Sequence, residues 1–243
     1  MAPRSTTKKH SASNPFFGFL GATKDAKTAS ALQGHLVAMS GEFVGTFMFL
    51  FLAYCGHTMS VEQATRNGTD PNSTNSASTM IYISLSYGFA LLVTVWTMYR
   101  ISGGLFNPAV TLGLMVTGNI PATRGLLLLP VQITSSIAAA GVVSAFVPGD
   151  IRTVQTTLTP SISVAQGLFL EMFLTAFFLL NILMLAAEKS KDTFIAPVGI
   201  GLTLFGPFLG TLVASGYYHF VKFFNYDDAN PGQDSSGGDF GGE

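Results

Sequence analysis

Apolar residues in this chain come in long blocks, not in the alternating or one-faced patterns of a water-soluble fold. Four blocks, at about 36–56, 80–99, 125–147 and 164–187, are nearly free of charge and long enough for a helix to cross a bilayer. A fifth apolar tract runs from Phe194 to Val221. As a helix it would be about 42 Å long, too long for one upright span and too short for two. Pro197 and Pro207 predict kinks within it. The pattern predicts an all-α integral membrane protein with a polar tail at 1–35, a membrane domain at 36–224 and a tail at 225–243. The last tail is acidic and glycine-rich, a composition that predicts disorder.

Charge placement adds an orientation. Only 10% of the 243 residues are charged, against about 25% in a soluble domain. Arg4, Lys8, Lys9, Lys24 and Lys27 lie in the first tail, and Arg100, Arg124, Lys189 and Lys191 follow the second and fourth blocks. The other connections hold only Arg66 and Arg152. Lysine and arginine stay on the cytoplasmic side, so the N-terminus is expected there. The connection carrying Arg66 then faces outward and offers two glycosylation sequons, at Asn67 and Asn72. No apolar core precedes residue 35, so no cleaved signal peptide is expected. Cys55 is the one cysteine, which excludes a disulfide framework. The histidines at 10, 35, 57 and 219 make no metal-ligand spacing. No metal, cofactor or nucleic-acid partner is expected.

The blocks repeat. Block one contains Glu42 and Thr46 in a Glu-x-x-x-Thr pattern, and block four contains Glu171 and Thr175 in the same pattern. Tyr87-Gly88-Phe89-Ala90-Leu91 in block two is echoed by Ile200-Gly201-Leu202-Thr203-Leu204 in the fifth tract. Copies that begin with spans one and four hold an odd number of crossings each, so the second copy is inverted in the membrane. An acid inside a span marks a functional group by default. The alternative for Glu42, seven residues into its block, is a side chain that reaches back to the interface.

Between the second and third blocks stands Ser-Gly-Gly-Leu-Phe-Asn-Pro-Ala-Val-Thr, residues 102–111. Asn107 suits an N-cap and Pro108 the first helical position. The helix they open has about 11 residues before Gly118, or about 16 Å, half the hydrocarbon thickness. A half-length apolar helix behind a glycine-rich loop predicts a re-entrant segment, its positive end near mid-membrane. Such an end is tolerated only against protein or water, where it repels cations and orients water. Taken alone, Asn-Pro-Ala also fits a short helix cap in the cytoplasm.

The ten-residue frame after a span resembles the first signature of the aquaporin, or major intrinsic protein, family. The Glu-x-x-x-Thr sites and the span order are similar too, and the long first tail looks most like the fungal water channels. The resemblance covers about residues 36–224. It implies an aquaporin-like inverted-repeat bundle with one re-entrant half-helix, passing water or a small neutral solute through a plasma membrane, in tetramers. It implies that Asn107, with Pro108 and Ala109, is the midpore donor, and that Glu42 and Glu171 accept hydrogen bonds from the pore loops. Tyr87, 20 residues before Asn107, takes the place of the aromatic wall in the outer constriction, where the family's water channels usually carry Phe. Leu105 stands where His is frequent. Phe16, Phe17 and Phe19 resemble a tail that plugs the cytoplasmic mouth; the alternative is a tail resting on the lipid interface.

The family pattern also requires a second Asn-Pro-Ala and a following Arg, and no Asn-Pro-Ala occurs after residue 109. Comparing the two repeats leaves a shortfall of about 36 residues, enough for a half-helix with its loop and adjoining span ends. The second repeat is therefore expected to be truncated, with the junction at Phe205-Gly206. Such a chain is expected to conduct water poorly, either as an incomplete coding product or as a shortened subunit joining full-length protomers. His219 is expected at an interface, not in the filter. An enzyme built on the Glu42 and Glu171 carboxylates is the reading from another class, and the threonine-containing repeat fits structural hydrogen bonding better. A membrane receptor or adaptor would leave the Asn-Pro-Ala frame unexplained.

Overall fold

The first helix, α1, runs unbroken from Ala31 to Arg66, ten residues past the end of the first apolar block. No glycine or proline interrupts the sequence after Gly56. Arg66 and Glu62 close a helical ion pair at 3.0 Å, and Ser60 and Thr65 donate to carbonyls one turn back. The part of the connection between the first two blocks that lies before residue 67 is thus helix. At about 1.5 Å per residue α1 spans about 54 Å, well beyond a hydrocarbon core.

The computed structural model describes residues 31–66, 77–158, 160–188, 191–202, 217–220 and 222–223. Phe16, Phe17 and Phe19, the sequons at Asn67 and Asn72, the junction at 205/206 and the tail at 225–243 lie outside the described residues. Three further helices are long and apolar enough to cross a membrane: α2 (Ala77–Ser102), α4 (Ala122–Phe146) and α5 (Val164–Ile182), the last continued by a π turn at Leu183–Ala187. They match the predicted blocks. Ser163 starts α5 with a capping box, exchanging hydrogen bonds with Gln166. Two short helices are also described, α3 (Pro108–Val116) and α6 (Ala196–Leu202). No strand occurs among the described residues.

Helix α1 packs between α2 and α4. Trp96, Ile137, Phe169, Phe173 and Phe177 point outward and are more than half exposed, as expected of helices whose surroundings are lipid. Inside, Leu128, Leu179 and Leu183 are fully buried. The start of α1, the end of α2 and the start of α4 share one end of the bundle, with Arg124 Nη2 close to Gly34 and Ser102 against Gly41. We call this the basic end.

Tyr218, near the end of the fifth tract, lies beside the residue that follows α5. Glu188, after α5, accepts from Lys222 Nζ at 2.7 Å and from the Tyr218 hydroxyl. His219 Nε2 lies 3.5 Å from the carbonyl oxygen of Val116, where α3 ends. Glu188, Tyr218, His219 and Lys222 therefore gather at the basic end. His219, expected at an interface, lies beside the end of α3.

Candidate functional site

Three features of the chain drive α3 inward. Gly103 and Gly104 take φ of +102° and +70°, turning the backbone sharply after Ser102. Phe106 follows with φ of +51°, a left-handed conformation that a non-glycine residue adopts only where its surroundings enforce it. Asn107 then caps the helix in extended conformation, its Oδ1 accepting the Ala109 N–H at 2.8 Å, with Pro108 at the first helical position. The helix has nine residues and stops at Val116, and Gly118 with φ of +76° ends it.

What enforces the Phe106 conformation is Glu42. It has no exposed surface, and its two oxygens accept four hydrogen bonds. Ser102 Oγ (2.7 Å) and the Leu105 N–H (3.0 Å) donate to Oε1. The Phe106 N–H and Gln132 Nε2, both at 2.8 Å, donate to Oε2. A carboxylate accepts only, and here it meets four donors. Side-chain reach to the interface is excluded. Gln132, also buried, gives a further N–H to Thr111 Oγ1 at 2.8 Å, and that hydroxyl donates to the Asn107 carbonyl at 3.0 Å. One network thus ties α1, the end of α2, the loop, α3 and α4.

Depth follows from α4. Gln132 stands ten residues into that helix, about 15 Å along its length of about 37 Å. Thr111 meets Gln132 there, and Asn107, one turn before Thr111, lies about 6 Å farther from the basic end. The positive end of α3 is therefore near the middle of the bundle. Asn107 has its oxygen engaged by its own helix, and its Nδ2 has no partner among the described residues. Beside the loop lies a cavity of about 30 Å³ lined by Val95, Gly103, Gly104, Leu105, Val110 and Ile182 among others. By that measure one water needs about 10–15 Å³, so the cavity has room for about two.

The remaining expected residues are elsewhere. Tyr87 sits in α2 toward the far end, half-buried, its hydroxyl 3.3 Å from His57 Nδ1. Glu171 is half-buried in α5, and its carboxylate has no hydrogen-bond or ion-pair partner among the described residues. Thr175 bonds the Glu171 carbonyl at 2.9 Å, whereas the hydroxyl of Thr46 is buried without a partner. The repeat matches in sequence and differs in bonding. Ser102, Thr111, Gln132 and His57 were not singled out as site residues from the sequence. For Gln132 a signal existed, an amide in the middle of an apolar span.

The sequence profile of the family described as Major intrinsic protein matches residues 28–218, most of the chain. The chain belongs to the major intrinsic protein family. This is a family of membrane channels for water and small solutes. The chain is 48% identical to "Probable aquaporin-3" of Gibberella zeae, with 83% of each chain covered. It is 43% identical to "Aquaporin-7" of Botryotinia fuckeliana over 84% of this chain and 53% of that one, so it spans about half of that longer relative. A solved aquaglyceroporin from Plasmodium falciparum shares the fold, with a TM-score of 0.55 at 16% identity over 82% of this chain and 87% of that one. The Gibberella match extends over 239 aligned positions, whereas 83% of this 243-residue chain is about 202 residues. About 37 aligned positions of that major intrinsic protein thus have no counterpart here.

Proposed function

We propose that this chain is a water-channel subunit of the plasma membrane that carries the inner half of a pore and only part of the outer half, and so conducts water poorly by itself. The observation that carries the reading is Asn107 at mid-bundle, its helix hung from Glu42 and its Nδ2 without a partner among the described residues. Water passing there would meet a positive helix end that orients its oxygen and opposes cations.

The impairment rests on the second Asn-Pro-Ala and its Arg being absent from the sequence. The roughly 37 unmatched positions against the Gibberella relative support a missing stretch close to the 36 expected from the internal repeat, and we place the junction at 205/206 on the repeat alone. The carboxylate of Glu171, without a partner among the described residues, fits the same reading, because the loop that would donate to it is the one lost. The narrow cavity and the aromatic at 87 favour water over glycerol. Tetramer formation, alone or with full-length protomers, follows from family membership, and the N-terminus on the cytoplasmic side follows from the lysine and arginine bias.

Stopped-flow shrinkage of proteoliposomes tests this. The chain should add little to the lipid's own permeability, while a version with a second half-helix restored at 205/206 should raise it and lower the activation energy. Fast, low-barrier flux through the chain as it stands would refute the half-pore.

A further inference from the structure

Tyr87 is held from α1. Its ring meets His57 edge to face, 5.9 Å between centroids, and Tyr54 one turn earlier packs on the same phenol at 6.3 Å. The 3-10 turn Ile151–Val154 packs against α1, with the backbone of Thr153 beside the His57 ring. That turn is fixed against α1. Asp150 caps it by accepting the Arg152 N–H at 2.9 Å, and Gly149 packs so tightly that a Cβ would lie 2.6 Å from Thr58 Cγ2. One imidazole therefore bridges three parts of the chain: α1, α2 and the connection between α4 and α5.

We infer that His57 is the positioning residue of the outer mouth, fixing the ring angle of Tyr87 and tying that ring to the α4–α5 connection. The inference rests on the proposed role of Tyr87 as the constriction wall. A neutral imidazole has one N–H and one lone pair. We assign the tautomer with the proton on Nε2, in which Nδ1 accepts from the Tyr87 hydroxyl. A tyrosine wall otherwise brings a hydroxyl that must find water or go unsatisfied. With His57 as its partner that hydroxyl is turned into the α1–α2 seam, and the phenol offers ring carbon to the passage.

Solid-state NMR of the full chain in lipid bilayers, with labelled tyrosine Cζ and histidine nitrogens, tests this. The Tyr87 signal is identified by its loss in Tyr87→Phe. In His57→Phe it should move to the position of an unbonded phenol, and His57→Gln, which keeps an acceptor, should return it toward the bonded position. Reciprocally, Tyr87→Phe should shift the Nδ1 signal of His57. If His57 only fills space, Phe replaces it without moving the Tyr87 signal, and that result overturns the inference, as does an Nδ1 signal indifferent to Tyr87→Phe. The readout needs no conduction. A bonded pair in a chain that passes no water even with its outer half restored would defeat the pore reading and leave this one standing.

Discussion

Gly88 and Gly201 face each other where α2 and α6 cross, and a Cβ on either would lie 2.8 or 2.7 Å from the other's carbonyl oxygen. These are the glycines that the internal repeat pairs in sequence, so the repeat is also a contact. The obstacle to a larger residue is backbone, which cannot swing away. Gly201→Ala should therefore cost about 1–3 kcal/mol by overpacking. Gly141→Ala, with open space around it, should stay within about 0.5 kcal/mol. Thermal unfolding in detergent compares them, and equal midpoints would remove the crossing from the account.

The two acids of the repeat should behave unequally. Glu42→Ala strands the N–H groups of Leu105 and Phe106 and the Gln132 amide in a buried site, at a cost of about 2–4 kcal/mol. It also frees Phe106 from its left-handed conformation. Glu171→Ala removes a carboxylate with no partner among the described residues and should cost less than about 1 kcal/mol. Thermal midpoints, with protease sensitivity near residues 103–106, read out the difference.

The ion pair of Lys222 with Glu188 carries a topological expectation. It brings residue 222 to the connection after α5, so an epitope tag after residue 243 should be exposed on the same face as a tag before residue 1. Protease protection in sealed vesicles measures this. Tags on opposite faces would mean that the fifth tract crosses the membrane completely.

Much of this was legible in local sequence. Helix α3 is announced by its own cap, its proline and its closing glycine, all within about a dozen residues, and the four spans by uninterrupted apolarity. The extension of α1 to Arg66 was not, because TMSVEQATR is polar, and hydropathy cannot distinguish a polar helix from a polar loop. Glu42 could be flagged as an acid within a span, but its donors come from Ser102, Leu105, Phe106 and Gln132, 60 to 90 residues away. Periodicity carries no record of such partners. His57 looked like one of four scattered histidines because its partners, Tyr87 and Thr153, belong to other elements.

The depth of Asn107 is the claim on which the rest stands. In a Cys55→Ser background, single cysteines at Asn107 and at the exposed Asn119 should be treated in sealed vesicles with a bulky, membrane-impermeant maleimide. The cysteine at 119 should label from the face that bears the N-terminal tail, and the cysteine at 107 should stay unlabelled from both faces until detergent is added. Labelling at 107 as rapid as at 119 would place α3 in the aqueous phase and contradict the half-pore.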